Sequence, residues 1–519
     1  MLNKITSGFI ALLLTVFLLA FPSEGYTAIP EFKYALFLLI CGGYIIVIAL
    51  LRTSFVIVGM PPKTNLHESI KTLSLPMKFL FCFLLFTILS SILSTYPETF
   101  RGAFRQEGTL TIGIYILMCF FVANYFRPKL WMLIILSISV ILTCVLAFIQ
   151  LTGANPFTLY PLGLNYYGAG IYYSGEFLST IGNAGFFAGF ISLISGILAM
   201  SMIKLESRLR WFLSVPFFLA ILIVFSIGID AAIVAVLVGF VLMLPVAVTS
   251  QKTLIDTLIV LSISISAFIL SQVLTFQDGP VLFAPIRLPI IFAFFAMVVL
   301  AIAATRIELL STFSTNFYRK IATATVFGII CFSFVFLLQY SGTSGSWIYE
   351  ASQVLRGNWD DTFGTRRVFI WRNIIEGIQM QTLLLGTGPD TLGFWDIEPF
   401  SRYVEHTGFT IVTIIDAAHN EFLHILAVGG VLSLLAYLGA LIFAAIGWVR
   451  QTDNHLSAIT GTGVLFYVIQ SFFGISQFVT APFFWVCLGA LLSTQKIPSE
   501  SKQLTEGKKH IKSKTRKHS

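Results

Sequence analysis

The chain has 519 residues, of which 57% are hydrophobic and only 11% are charged, with a formal net charge of +8. A soluble globular domain carries about 25% charged residues, so this composition excludes a protein whose whole surface faces water. Basic residues punctuate apolar runs or gather in a C-terminal tail rather than on a soluble domain, which argues against a nucleic-acid partner.

Apolar runs long enough to cross a membrane recur along most of the chain. A hydrocarbon core of ~30 Å needs roughly twenty apolar residues per helix. The first run, behind Lys4, is long for a signal peptide and lacks an A-x-A cleavage site, so we expect a retained helix. The predicted spans number about fourteen and lie near 5–22, 34–51, 77–94, 109–125, 131–151, 180–203, 211–227, 231–248, 254–273, 288–304, 321–339, 419–447, 457–474 and 481–494.

The sequence therefore predicts an all-α polytopic membrane protein with one large loop. Spans 1–11 occupy residues 1–339, the loop occupies 340–417, and spans 12–14 occupy 418–494. Cytoplasmic loops carry an excess of Lys and Arg. An N-terminus in the cytoplasm places 23 of the 32 Lys and Arg residues inside and 9 outside. We therefore expect an extracytoplasmic loop, cytoplasmic termini and a disordered basic tail over 495–519 that favours an anionic leaflet.

The outer basic residues run against this charge bias and are clustered. Five lie between Tyr340 and Ala417, and two more, Arg101 and Arg105, lie on the short loop 95–108. They could pair with the many acids of the long loop, or they could form an anion site, since the arginine fork suits phosphate oxygens. Spacing alone leaves both readings open.

A helical pattern follows the tandem arginines of the long loop. Apolar side chains recur at helical spacing and predict an amphipathic helix on the membrane or on the bundle: Val368, Trp371, Ile374, Ile375 and Ile378. Arg366 and Arg367 would stand at its N-terminus, where they oppose the helix dipole, and this favours a ligand role. Trp371 is more typical of an interfacial anchor. A tight turn at Gly386, Gly388 and Pro389 could bring backbone N–H groups near a ligand.

Histidine marks the end of the loop. His419 and Asn420 lie at the outer mouth of the next helix, where an ionisable residue is a functional candidate, and histidine can act as a general base. The alternative is a histidine satisfied by a nearby carbonyl. His424, five residues on, is expected to point away, and His406 has no evident partner. The six cysteines all lie in or beside apolar runs, and we expect no metal site.

These motifs resemble the O-antigen ligase and polymerase superfamily. The segments that carry the resemblance are G-T-R-R-x-x-x-W at 364–371, L-G-T-G-P at 385–389 and A-H-N-x-x-L at 418–423, followed by Gly429-Gly430. Upstream, Ser94-Thr95-Tyr96-Pro97 with Arg105-Gln106-Glu107-Gly108 is similar to the family's first outer arginine loop. Gly182-Asn183-Ala184-Gly185 is similar to its G-N-x-N-x-x-A helix start, with Gly185 in place of the second Asn. One departure stands out, since Asp230 occupies the region where the family often carries Ser-Arg-Gly.

The resemblance implies a membrane glycosyltransferase of cell-surface polysaccharide biosynthesis in the bacterial inner membrane. It implies transfer of a glycan from an undecaprenyl-diphosphate carrier to a lipid, protein or glycan acceptor, without cofactor or metal. His419, Arg366 and Arg367 would be catalytic, and the diphosphate and substrate would be bound by Arg105, Arg101, Arg372 and Asn420. At Asp230, either Arg287 or a loop arginine substitutes, or the donor is altered, or the chain is inactive.

The sequence leaves the acceptor and the sugar open. Ligation to lipid A-core, transfer to protein hydroxyls and polymerisation of repeat units share this chemistry. The rival class is a lipid-linked glycan flippase, which would be expected to carry charges inside its spans or inverted repeats; the predicted spans are nearly free of ionisable residues. A non-enzymatic scaffold is the third alternative.

Overall fold

The computed structural model describes residues 1–57, 73–172, 176–275, 282–283, 288–342, 344–404 and 409–495. Arg287, His406 and the basic tail beyond residue 495 lie outside these ranges. The helices, in chain order from α1 to α19, are Leu2–Leu12, Ile29–Phe37, Gly43–Ile57, Leu75–Leu93, Thr109–Tyr125, Leu130–Leu151, Tyr166–Tyr172, Ala184–Lys204, Ser214–Ile227, Asp230–Leu242, Leu244–Ala247, Gln251–Val273, Leu288–Arg306, Thr315–Gln339, Trp347–Leu355, Phe363–Gly377, Glu421–Arg450, His455–Ser471 and Ala481–Thr494.

Strands are few and short in the described part of the chain. They form three antiparallel pairs: β1 Phe177–Leu178 with β2 Gly182–Asn183, β3 Leu274–Thr275 with β4 Leu282–Phe283, and β5 Phe400–Val404 with β6 Phe409–Thr413. The third pair is a hairpin within the predicted loop, with Phe400 opposite Thr413. The predicted all-α class is confirmed in its helical character.

Helices lie at each of the fourteen apolar stretches, but fewer of them meet the length and hydropathy of a full span. Eight described helical segments are long and apolar enough to cross a membrane. Shorter apolar helices at Leu2–Phe17, Thr109–Tyr125, Asp230–Leu242, Ile291–Arg306 and Ala481–Thr494 account for most of the others. The count of fourteen spans and the side on which the loop lies stay predictions.

One large core joins the helices at the centre of the bundle. The helix pair α8 and α18 packs closely, as do α4 with α17 and α5 with α19. Small residues allow these approaches: a Cβ on Gly196 of α8 would lie 2.9 Å from the Phe466 ring on α18, and one on Gly489 of α19 would lie 2.7 Å from the Cys119 carbonyl oxygen on α5. Close packing of this kind is what associates helices in lipid, where burial of apolar surface provides little drive.

The helix that follows the long loop is broken. Within α17, Gly430 has φ of 74° and ψ of 177°, so the helical hydrogen bonds stop there. The segment before Pro389 docks into the break: Gly388 N–H donates to the Val428 carbonyl (2.9 Å), and Val431 N–H donates to the Leu383 carbonyl (2.9 Å). Irregular backbone at membrane depth is tolerated where protein satisfies its polar groups. The L-G-T-G-P turn thus packs on a helix.

The long loop is folded around a second, smaller core. Its buried residues are Ile370, Ile374, Leu392, Ile415, Ala418, Ala427 and Val428. The predicted amphipathic helix is present as α16, and Val368 and Ile374 face inward as expected. Ile375 departs from the pattern with 60% of its surface exposed, and the helix ends at Gly377, before Ile378.

Candidate functional site

The short loop 95–108 is fastened to the long loop by one buried carboxylate. Oδ2 of Asp390 accepts hydrogen bonds from the backbone N–H groups of Phe104 (3.0 Å) and Arg105 (2.8 Å). Asp390 is 2% exposed and has φ of 59°. Burial raises the pKa of this carboxyl, while the two backbone donors lower it. The side chain directly after the L-G-T-G-P turn therefore fixes the backbone of Arg105.

Arg105 is held a second time through its guanidinium. One terminal nitrogen, Nη2, lies 2.7 Å from Oδ1 of Asp416 in an ion pair that is about one quarter exposed. Its Nε atom is buried and donates to no acceptor in the described part of the chain. Buried polar groups are nearly always hydrogen-bonded, so a free donor on a fixed arginine is what an anion-binding residue presents before its ligand arrives.

Arg367 approaches the same place from the other end of the long loop. Residues Gly364 to Arg366 are left-handed, with φ of 60°, 55° and 67°, so regular helix begins only at Arg367. Nη1 of Arg367 donates to the Gly364 carbonyl (3.2 Å), and its buried Nε donates to no described acceptor. Burial lowers the pKa of this group, and the Asp230 carboxylate at the start of α10 opposes that effect. Asp230 is therefore an electrostatic neighbour of Arg367.

His419 lies within electrostatic range of both arginines, two residues before the start of α17. Its φ of 48° is unusual for a residue other than glycine. The preceding residue is fixed by Trp371, whose Nε1–H donates to the Ala418 carbonyl (2.9 Å). Burial, and then the charges of Arg105 and Arg367, lower the pKa of His419 to about 4. The imidazole is therefore neutral at neutral pH and can accept a proton.

Four other predicted site residues have different surroundings. The exposed Arg366 guanidinium lies 4.9 Å from the Phe400 ring centroid, and that of Arg101 lies 5.5 Å from the Tyr34 ring centroid. Arg372 forms an exposed ion pair with Asp361 (2.9 Å). The Asn420 side chain caps α17 by accepting from Leu423 N–H (2.9 Å). The structure thus brings Arg105, Arg367 and His419 together. The other four predicted site residues make the separate contacts just described.

Arg105 lines a small cavity of about 70 Å³ that is also lined by acids the sequence analysis did not select. Glu107 and Glu421 both line it, and so does His424, whereas His419 is not among its lining residues. The expectation that His424 points away from His419 stays a prediction; His424 lies in the first turn of α17, which begins at Glu421. Both glutamates of the cavity thus lie at helix N-termini: Glu107 is two residues before α5, and Glu421 is the first residue of α17.

A weak signal for these acids was present in the sequence. Glu107 and Glu421 each flank an apolar run at the predicted outer end, within two residues of Arg105 or His419. An ionisable residue at such a position is a functional candidate. They were not selected because polar residues are common at helix ends and these two acids look no different in the sequence. No group of three or more His, Cys, Asp or Glu side chains suited to a metal ion occurs among the described residues.

A motif elsewhere in the chain has a structural explanation. Oδ1 of Asn183, in the Gly182–Asn183 pair, caps α8 by accepting from Gly185 N–H (2.9 Å) and Phe186 N–H (3.3 Å). A Cβ on Gly182, whose φ is 98°, would lie 2.9 Å from the Ile29 side chain. Glycine and asparagine thus each have a structural role at this helix start.

Comparison with known proteins adds one match. No curated protein matches the chain significantly. A family model described as O-Antigen ligase matches residues 281–438, which contain the tandem arginines, the L-G-T-G-P turn, His419 and the broken helix. The match supports a membrane glycan-transfer role in polysaccharide biosynthesis, and it confirms the resemblance seen in the motifs: the chain carries an O-antigen ligase domain over residues 281–438.

Proposed function

We propose that this protein is a glycosyltransferase that moves a glycan from an undecaprenyl-diphosphate carrier to an acceptor. It would act at the outer face of the bacterial inner membrane, with cytoplasmic termini and without a metal. The observation that carries the proposal is the convergence of Arg105, Arg367 and His419, the last two within the matched O-antigen ligase domain. The Nε atoms of both arginines are buried and donate to no described acceptor.

The chemistry requires stabilisation of a departing anion. As the acceptor oxygen or nitrogen bonds to the anomeric carbon, the carbon–oxygen bond to phosphate breaks and its electron pair leaves with the diphosphate. Arg105 and Arg367 would bind that diphosphate, each contributing about 2–4 kcal/mol by analogy with oxyanion donors. Their positions are fixed before reaction by Asp416 and by the Gly364 carbonyl. Arg366, Arg101 and Arg372 are exposed and would contact the outer parts of the donor.

His419 would take the proton from the acceptor hydroxyl or amine. Its pKa of about 4 makes it a weak base in the resting protein. The two arginines contribute to that low pKa. A bound diphosphate neutralises them, so the pKa of His419 rises when the donor is present. His419 thus becomes a stronger base only when the leaving group is in place. General-base catalysis typically contributes roughly 10²–10⁴-fold in rate.

Incubation of the purified protein with an undecaprenyl-diphosphate glycan and candidate acceptors tests this function. We expect glycan on an acceptor and free carrier diphosphate, both lost in His419→Ala and Arg367→Ala. Glu376→Gln, an exposed acid of α16, is the matched control and should retain activity. Full activity of His419→Ala would contradict the assignment, and movement of intact carrier across a vesicle bilayer would indicate a flippase instead.

A further inference from the structure

Two carboxyl groups from different helix ends face one cavity beneath Arg105. Glu107 lies two residues after Arg105, and its Oε1 accepts from the Tyr115 hydroxyl on α5 (2.7 Å). Glu421 is the first residue of α17, and its Oε1 accepts from the Tyr437 hydroxyl (2.6 Å). Both side chains line the cavity with Arg105 and His424. Glu421 is buried and Glu107 is half-buried.

Two buried carboxylates near each other are costly to ionise together. Burial, followed by the neighbouring charges of Asp390 and Glu421, raises the pKa of Glu107 to about 8, against the hydrogen bond from Tyr115. The nearest described cation of the cavity is Arg105, which is already paired with Asp416. At neutral pH Glu107 therefore retains its proton.

Titratable or charged groups reach this pair from every packed element. The short loop contributes Arg105 and the long loop contributes Asp390. The helices contribute tyrosine hydroxyls and one imidazole: Tyr115 from α5, His424 and Tyr437 from α17, and Tyr467 from α18. Each carboxyl therefore has a tyrosine hydroxyl that donates to it, Tyr115 for Glu107 and Tyr437 for Glu421.

We propose that Glu107 and Glu421 share one proton across this cavity and that the shared proton keeps Arg105 available to an anionic diphosphate. With the proton bound, the cavity adds one negative charge beneath Arg105. When the proton is lost, a second negative charge competes with the diphosphate for the arginine. Glu107 is thus a positioning residue that acts through Arg105. The identity of the diphosphate rests on the proposed function, whereas the shared proton does not.

Infrared spectroscopy of the purified chain without substrate tests the proton directly. We expect the C=O stretch of a protonated carboxylic acid to disappear as pH rises through about 8. In Glu107→Gln the remaining carboxyl has no acidic partner across the cavity, so the midpoint of the band should move to lower pH. Tyr115→Phe removes a donor to the carboxylate, so the midpoint should move to higher pH. Glu376→Gln, on exposed α16, should leave the band unchanged.

Binding of a short isoprenyl diphosphate tests the consequence. If only the protonated pair is competent, the wild-type affinity should fall about tenfold one pH unit above the midpoint, and Glu107→Gln should remove that fall. Absence of the infrared band in folded wild-type protein overturns the proposal, as does an unchanged pH dependence of binding in folded Glu107→Gln. A band that titrates as expected in a protein that binds no diphosphate at any pH would leave the shared proton standing and refute the proposed function.

Discussion

Asp390→Ala removes the attachment between the two outer loops. The carboxylate accepts from two backbone N–H groups, those of Phe104 and Arg105, and hydrogen bonds to a charged partner contribute about 1.5–3 kcal/mol each. Because the loop can relax toward water, we expect the free energy of unfolding to fall by about 3 kcal/mol, at the low end of the sum. Asp390→Asn retains one acceptor oxygen and should lose about half as much.

The same change should reduce donor binding through the position of Arg105. A displacement of about 1 Å at a reacting centre can cost 10²-fold, so we expect glycan transfer by Asp390→Ala to fall by about that factor. Thermal unfolding in detergent and calorimetric binding of an isoprenyl diphosphate measure the two effects. Asp396→Ala removes an exposed acid of the same loop and serves as the control. If folded Asp390→Ala bound the diphosphate with wild-type affinity, the inference that Asp390 positions Arg105 for binding would be refuted.

Three further changes probe the helix break and the charges at the site. Gly430→Ala should lower the thermal midpoint strongly, because φ is 74° and a Cβ would overlap the Leu384 carbonyl oxygen; an unchanged midpoint would contradict the docked turn. Asp230→Asn removes the acid beside Arg367 and should tighten isoprenyl diphosphate binding about two- to fivefold, as for a weak exposed pair, whereas weaker binding would assign Asp230 to the donor site. Histidine NMR should show the pKa of His419 near 4 in the free protein, with protonation only below that pH, and a higher pKa once diphosphate is bound; the same pKa in both states would exclude coupling.

The positions of the helices follow from the apolar runs, and so does the amphipathic helix of the long loop. The different surroundings of the two consecutive arginines do not follow from the sequence. Arg366 and Arg367 are consecutive, and no periodicity distinguishes them. The left-handed turn from Gly364 to Arg366 directs Arg366 over Phe400 and leaves Arg367 near Asp230 and His419. Left-handed conformation at Thr365 and Arg366 is uncommon for such residues, so the local sequence does not predict it.

Long-range contacts explain the rest of what the sequence could not show. The L-G-T-G-P turn reads as a possible ligand-binding loop, yet its backbone bonds to residues some forty positions later, such as Gly388 to Val428. The role of Asp390 depends on donors nearly three hundred residues earlier. A single sequence gives spacing along the chain, and spacing alone does not report which distant backbone groups meet.

Local backbone strain is concentrated where the proposed chemistry would occur. Eight described residues other than glycine have positive φ, and five of them belong to segments that build the site: Gln106, Thr365, Arg366, Asp390 and His419. Such conformations cost about 1–3 kcal/mol each and persist only when surrounding contacts fix them. Here those contacts are the Asp390 carboxylate, the Trp371 indole and the turn inserted into α17. The bundle thus stabilises two loops that would not hold these conformations alone, and a rigid pair of arginines facing a neutral histidine is the result.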